Sequence, residues 1–527
     1  MNIALIQPNL ITADFSGNTK KLIGVIQKAY AEGADLVVLP ELVLLAPPAL
    51  DLQLDIDFQT SCAEMLQEIS NACSQVSCVL GAPTRQGKDT RNGVYLLQQG
   101  QVQLLTTKRH LQEGEHAYFS PGEGMATVEI KDTRFAVALG EDAFLDQEIN
   151  TDAQMLLVLN NEIFSYIEHP ARQSRISELA QNLSLPVLEI NMVGAQGDTL
   201  YAGGSLIVNA AGELTDQALL FEEDMRLYQL QQGELKSLQE TNHATWSVSR
   251  ILHDALIMGI RDFFYKQGFT KAVLGLSGGL DSALVATLAC SALGPENVHG
   301  LLMPSEFSTE HSISDAKALA ENLGCKYTIL PIQPVFEAFK QTLSGLFTDL
   351  PFGLAEENLQ ARTRGSLVMA VSNKFGGIVL NTSNKSEAAM GYGTLYGDLV
   401  GSLSVLGDVY KTQAYDIARY INRERQVIPE HVLLKAPSAE LRPGQKDSDS
   451  LPEYDTLDPI LFQYIDQRKS VSEICALGYE RDFVLKIIHA VDRMEFKRHQ
   501  APPILGVSGS PFGRGRRIPE VKRPFPL

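Results

Sequence analysis

The sequence predicts an α/β protein of two domains, and three observations carry that expectation. Short apolar runs of strand length alternate with amphipathic helical runs through the first 210 residues. From residue 271 onward the order strand, helix, strand, helix, strand fits a parallel sheet with helices on both faces. The chain of 527 residues exceeds the usual size of one domain, and it turns polar between about 210 and 245, where Glu222-Glu223-Asp224 and Gln231-Gln232-Gly233 fall.

The first half opens with a strand at 3–7. An amphipathic helix at 18–33 ends on Gly33, as helices often do on glycine. A second strand at 35–39 runs into Pro40 and Glu41. Further strands are predicted at 77–81, 94–97, 135–139, 155–159, 187–191 and 205–208, which implies two layers or more. Glu41 stands just past a buried strand. That is a position for a general base, and equally for a salt-bridge or helix-start glutamate.

The second half opens with a helix that puts Leu252, Leu256, Ile260 and Phe263 on one face, read as core. A strand at 271–276 then meets Ser277-Gly278-Gly279-Leu280-Asp281-Ser282, and a helix runs over 281–293. A glycine-rich turn from strand to helix presents unpaired N–H groups and the positive end of the helix dipole, which suits a phosphate. The serines add hydroxyl donors, and Asp281 can hold the metal that accompanies a polyphosphate. A glycine pair alone marks only a turn. The full six-residue run after a strand is more specific, and with no lysine after the glycines it is not the G-x-x-x-x-G-K-[ST] loop.

The sheet continues with a strand at 298–303, whose end Met303-Pro304-Ser305 is placed to meet an adenine ring, then a helix at 311–323 and a strand at 327–331. A long helix over 357–375 carries Asn358 and Arg362 four apart, hence on one face. A strand at 378–381 leads into the polar runs Thr382–Glu387 and Gly391–Asp398.

Composition limits the function classes. The formal net charge of −19 disfavours broad binding to nucleic acid or anionic membrane. The basic residues Arg514, Arg516, Arg517, Lys522 and Arg523 near the end are too few to reverse that, and a short basic tail more often pairs with an acidic surface. The six cysteines form no CxxC pair, so reduced thiols in the cytoplasm are the simplest expectation. No signal-peptide layout opens the chain, and no apolar run reaches the roughly 20 residues of a membrane span.

Several motifs of the first half resemble the nitrilase-like amidohydrolases, and more narrowly the glutaminase domain of glutamine-dependent NAD synthetases. They are Asp14-Phe15, Gly17-Asn18, the run from Gly33 to Pro40-Glu41, Val193-Gly194-Ala195-Gln196 and Gly203-Gly204-Ser205. The resemblance implies an α-β-β-α sandwich over residues 1–210. It also implies a Glu-Lys-Cys site in which glutamate takes the thiol proton, cysteine attacks the amide and lysine stabilises the oxyanion. Glu41 and Lys108 match the first two members. Gly140, before Glu141-Asp142, stands where the cysteine belongs, and glycine has no nucleophile. Gln112 replaces the family's proline, the stretch from Leu111 to Phe119 is short, and Asn160-Asn161-Glu162 stands for the Asn-Ala-Ser that helps hold substrate. The expectation is a degenerate glutaminase domain in which Glu41 and Lys108 persist as a buried ion pair, followed by a linker over 211–244.

Residues 245–527 resemble the synthetase domain of NAD synthetases throughout. The markers include the Ser277–Ser282 loop, which is similar to that of the ATP pyrophosphatases (adenine nucleotide alpha hydrolase-like, with a Rossmann-like parallel sheet). Others are Asn358-Leu359-Gln360-Ala361-Arg362, Asn381–Glu387, Tyr396-Gly397-Asp398, the run from Pro437 to Asp447 and the run from Lys497 to Pro503. The family adenylates the nicotinate carboxylate of deamido-NAD with ATP, and ammonia then displaces AMP to give NAD. By resemblance Leu276, Ser277, Gly278, Gly279, Asp281, Ser282, Met303, Thr382 and Lys411 bind ATP, with Asp281 and Glu387 on Mg2+. Asn358, Arg362, Glu387 and Lys497 hold deamido-NAD. Asp398 and Lys411 serve catalysis, Asp398 as acceptor of a proton from the attacking amine. Loops at 397–412 and 438–455 are expected to close over the site and exclude water. The resemblance further implies a homo-oligomer, with synthetase domains paired as a dimer and possible assembly to an octamer. Glycine at 140 points to free ammonia as the nitrogen source. The alternatives are glutamine use through another thiol, or a scaffold that has lost its chemistry.

Overall fold

The computed structural model describes residues 1–146, 152–231, 233–241 and 246–522, and the chain divides into two compact units, Met1–Thr245 and Trp246–Leu527. Arg523 of the basic tail, Gln232 and residues 242–244 of the expected linker lie outside the described residues.

Among its described residues the first unit holds two large sheets and a two-stranded one. Its strands in chain order are β1 (Asn2–Gln7), β2 (Leu36–Val38), β3 (Ser77–Gln86), β4 (Asp89–Gln98), β5 (Gln101–Thr107), β6 (Ala126–Ile130), β7 (Thr133–Leu139), β8 (Met155–Leu159), β9 (Val187–Ile190), β10 (Val193–Gln196), β11 (Thr199–Ala202), β12 (Leu206–Val208), β13 (Leu214–Gln217), β14 (Asp224–Gln231) and β15 (Glu234–Ser237). The seven-stranded sheet runs β15-β14-β1-β2-β3-β4-β5, the six-stranded sheet runs β13-β12-β9-β8-β7-β6, and β10 pairs with β11. Helices α1 (Phe15–Ala31), α2 (Ile56–Ala72), α3 (Asp142–Leu145) and α4 (His169–Leu183) complete the unit.

Strand alternation builds the sandwich. Ile3 and Leu5 of β1 face the inner core with Phe135, Val137 and Leu157 of the other sheet, while Ala4 and Ile6 face outward to Leu22 and Ile26 of α1. On the far side Ala136 and Val158 pack against Ile176 and Ala180 of α4. The result is the α-β-β-α order the sequence predicted.

The polar stretch read as a linker at 211–244 instead carries β13, β14 and β15. Asn2 through Gln7 pair antiparallel with Gln229 back to Asp224, so β14 lies inside the larger sheet. The hydrophobic signal is weak because these strands alternate polar and apolar residues near a sheet edge.

The second unit holds the five-stranded sheet β18-β17-β16-β19-β20, built from β16 (Ala272–Gly275), β17 (Val298–Leu302), β18 (Lys326–Ile329), β19 (Ile378–Asn381) and β20 (Leu403–Ser404), all pairs parallel. Around it lie α5 (Val248–Gln267), α6 (Leu280–Leu293), α7 (Glu310–Leu323), α8 (Gln333–Leu343), α9 (Leu354–Phe375), α10 (Lys385–Met390), α11 (Lys411–Ile421) and α12 (Glu430–Leu434). A helical cluster follows, in which α13 (Tyr454–Ile465), α14 (Val471–Cys475) and α15 (Arg481–Arg493) share an apolar core around Leu461, Ile474 and Ile488. β16 and β19 are neighbours although far apart in sequence, so the loops that follow both meet at one sheet end.

Candidate functional site

In the first unit three strand ends converge. Glu41 follows β2, Lys108 follows β5 and Gly140 follows β7. The Lys108 ammonium lies 2.8 Å from Glu41 Oε1 and 2.9 Å from Glu115 Oε1, and Asn92 donates to Glu41 Oε1 at 2.6 Å. Glu41 and Lys108 are almost fully buried. Burial pushes the Glu41 carboxyl up against the pull of Lys108. Burial opposes the Lys108 charge too, but Glu41 and Glu115 hold it protonated above the ordinary lysine range. Glu41 Oε2 is buried without a hydrogen-bond partner. Gly140 has a φ of +47°, at a sharp turn from strand to short helix. A Cβ built there would lie 3.3 Å from Lys108 Nζ and 3.6 Å from Glu41 Oε2. A side chain at position 140 would therefore lie beside a carboxyl and an ammonium group, and glycine supplies none.

The surroundings are engaged internally. Asn160 donates to Glu189 at 3.1 Å, and Glu162 lies 3.4 Å from Arg172, whose guanidinium also binds Glu189. Cys62, Cys73 and Cys78 are buried in the core, and burial pushes the first two thiols up to about 12 and about 11 and the third higher still. Sequence reasoning missed Asn92 and Glu115, which only the strand pairing and a short turn bring to Lys108. A separate grouping of His110, Asp142 and Asp146 is internally satisfied: the backbone N–H groups of Arg109 and His110 donate to Asp142, and that of Met125 donates to Asp146.

In the second unit a cleft of about 870 Å³ opens at the carboxyl end of the sheet. The phosphate-loop candidate forms one wall. Gly278 has a φ of +77°, and a Cβ there would collide with the Ser312 carbonyl, so only glycine fits. Ser282 Oγ accepts from the Ser277 N–H at 3.2 Å and donates to the Gly279 carbonyl at 3.1 Å, and the Gly279 N–H donates to Ser277 Oγ at 3.2 Å. Ser277, Gly279 and Asp281 face the cleft, while Gly278 and Ser282 shape the turn behind it.

Helix α10 and the start of α11 supply the charged groups that meet this loop. Lys411 Nζ binds Asp281 Oδ2 and lies 3.4 Å from Glu387 Oε1, and Asn384 donates to Asp281 Oδ1 at 3.1 Å. Burial, then the Asp281 carboxylate, push the Glu387 carboxyl up to about 8. Burial works against the Lys411 charge, yet Asp281 and Glu387 hold it protonated above the usual lysine range. Two partly buried carboxylates that share Lys411 make a hard-oxygen donor pair of the kind a divalent cation takes.

Leu276, Met303, Asn358, Thr382, Asp398 and Lys497 also line the cleft. Asp398 accepts from the Thr394 N–H at 2.7 Å, and, although its surface is exposed, desolvation within the cleft raises its carboxyl. Lys497 donates to the Gly391 and Gly393 carbonyls at 2.7 and 2.8 Å. Asn358 accepts from Thr394 Oγ1 at 2.7 Å. Arg362 is the exception. Its Nε donates to the Leu395 carbonyl at 3.2 Å, and it is Arg364, two residues on and on another face of the helix, that lines the cleft. Asp447, quoted above only as part of a motif, also lines the cleft, and its carboxylate accepts from Tyr392 and Tyr454 hydroxyls at 3.1 and 3.0 Å. Of the basic tail, Lys522 pairs with Asp492, and Arg516 stacks 4.6 Å from the Tyr464 ring.

Fold and site together define a class: a nitrilase-like sandwich joined in one chain to an α/β domain with a glycine-rich strand-to-helix loop at its cleft. The carbon-nitrogen hydrolase family model matches residues 2–240, and the NAD synthase family model matches residues 252–501. The glutamine-dependent NAD(+) synthetase of Synechocystis sp. is 41% identical over 546 residues, covering 98% of each chain, and that of Thermotoga maritima is 36% identical, covering 99% of each. The solved glutamine-dependent NAD+ synthetase of Acinetobacter baumannii, in complex with adenosine diphosphate, superposes with a TM-score of 0.80 at 33% identity over 98% of each chain. The chain belongs to the glutamine-dependent NAD(+) synthetase family, whose members are ligases forming a carbon–nitrogen bond.

Proposed function

We propose that this NAD synthetase takes its nitrogen from free ammonia and that its nitrilase-like domain is catalytically silent. The observation that carries the reading is Gly140, whose missing side chain would project onto Lys108 and Glu41. The thiols that would have to replace it are buried and held protonated. Asn160 and Glu162, where a substrate-holding segment is expected, have internal partners instead.

In the second unit the nicotinate carboxylate attacks the α-phosphorus of ATP and pyrophosphate leaves. Ammonia then attacks the acyl adenylate and AMP leaves. The loop Ser277–Ser282 receives the phosphates with Thr382 and Met303 on the nucleotide, and Asn358 and Lys497 orient deamido-NAD. Asp281 and Glu387 are the residues that would hold Mg2+, which supplies charge neutralisation on the polyphosphate when bound. Lys411, between those carboxylates, stabilises the leaving pyrophosphate. Asp398, with its raised carboxyl, accepts a proton as the amine attacks. The loops at 397–412 and 438–455 keep water from the adenylate. The nitrilase-like domain serves folding, regulation or the contacts of a homo-oligomer. Steady-state NAD formation from ATP and deamido-NAD, measured with ammonium and then with glutamine, tests the reading: ammonium supports turnover and glutamine does not.

A further inference from the structure

Arg364 is a charged group in the cleft to which nothing above gives a task. On α9, Glu357, Ala361 and Arg364 follow one another at spacings of four and three and face the cavity together. The Arg364 Nε donates to the Met303 carbonyl at 3.0 Å. Met303 lies two residues beyond Leu301, which is paired with Gly275, itself two residues before Ser277. The guanidinium is thus anchored at the carboxyl end of the sheet, beside the phosphate loop.

The other cations here are engaged. Lys411 holds Asp281 and Glu387, Lys497 holds two carbonyls, and Arg442 lies 3.5 Å from Asp449. Among the described residues no carboxylate comes within ion-pair distance of Arg364. Burial draws its guanidinium down to about 10, only partly offset by the more distant Glu440 and Asp398. A desolvated guanidinium that donates from Nε alone leaves its terminal N–H groups for an incoming anion.

We propose that Arg364 binds a phosphoryl group of the bound nucleotide during adenylation. The role rests on reading the cleft as the site of ATP-dependent amidation. The planar fork offers two parallel donors to two phosphoryl oxygens, which a lysine cannot reproduce. Arg364 itself forms and breaks no covalent bond. The carboxylate oxygen bonds to the α-phosphorus, the bond from that phosphorus to the bridging oxygen breaks, and pyrophosphate leaves with the electron pair while the guanidinium stays protonated.

The test compares wild type, Arg364→Ala and Arg364→Lys. Inorganic pyrophosphate and deamido-NAD are titrated calorimetrically in separate arms, beside Tm and turnover with added guanidinium ion. Loss of a charge-assisted bidentate contact predicts binding weaker by about 10- to 100-fold in one arm. An unchanged Tm, partial retention in the lysine variant and partial rescue of Arg364→Ala by guanidinium are expected alongside. Weakening in the pyrophosphate arm assigns the contact to ATP, and weakening in the other assigns it to the dinucleotide phosphates. Wild-type affinity of Arg364→Ala for both ligands overturns the proposal, as does loss of both with a lowered Tm and no rescue. If wild type forms no NAD while pyrophosphate binding still depends on Arg364, the amidation reading falls and the anion site stands.

Discussion

A Cβ added at Gly140 would stand 3.3 Å from the Lys108 ammonium, on a backbone held at a φ of +47°. A base and a cation are therefore arranged around a side chain that does not exist. Gly140→Cys puts a thiol beside Lys108, where the neighbouring positive charge favours thiolate. Alkylation with iodoacetamide followed by peptide mass spectrometry is expected to label residue 140 well before the buried Cys62, Cys73 or Cys78. The left-handed backbone makes the variant less stable by roughly 1–2 kcal/mol. Equal labelling of all the thiols would contradict this picture.

With the first unit catalytically silent as proposed, the Glu41–Lys108 pair is expected to act on stability alone. Lys108→Met leaves Glu41 buried without its cation and lowers stability by about 3–5 kcal/mol. Glu41→Leu combined with Lys108→Met recovers most of that loss, because a well-packed apolar pair is often neutral against a buried ion pair. Chemical denaturation of both variants checks the order, and ammonium-dependent turnover of the folded double variant stays at the wild-type rate.

In the second unit, Lys411→Met is expected to lower kcat with ammonium by about 100-fold or more, as removal of a preorganised charge at a developing anion does. The fold should persist, since the Glu387 carboxyl, already pushed up to about 8, stays protonated at neutral pH once the lysine is gone. Circular dichroism beside the rate measurement separates the two effects, and a kcat within a few-fold of wild type would remove Lys411 from the mechanism.

Glu387 carries a pH prediction. Its carboxyl lies near 4.5 unfolded and is pushed up to about 8 in the folded protein, by burial first and by Asp281 second. The folded state thus binds more protons than the unfolded state between those values, so stability falls as pH rises through that window. The group's contribution is complete below about 4.5 and is lost as pH climbs through about 8. Divalent-cation binding must displace the same proton, so affinity rises with pH up to about 8 and then levels. The Tm of wild type minus that of Glu387→Gln, followed from pH 5 to 9 without and with Mg2+, checks both slopes. A flat difference would contradict them.

Local signals made much of this legible. Apolar runs located the strands that end at Glu41, Gly140 and the Ser277–Ser282 loop, because a buried strand is written in consecutive residues. The strands β13 to β15 were not legible, since their polar alternation resembles a connecting segment. Asn92 and Glu115 meet Lys108 only through the pairing of β4 with β5 and a short turn, which no local pattern encodes. Arg364 was available in principle. The spacing Glu357, Ala361, Arg364 marks the cleft-facing side of α9, but the match of Arg362 to a known motif drew the reading two positions aside.

The central claim is that nitrogen reaches the second unit without hydrolysis in the first. The most direct measurement counts glutamate released per NAD formed by the purified full-length chain, with glutamine as the only nitrogen donor and with ammonium as a parallel reaction. The account predicts NAD from ammonium, with neither NAD nor glutamate above background from glutamine. Glutamate released in a one-to-one ratio with NAD would contradict it.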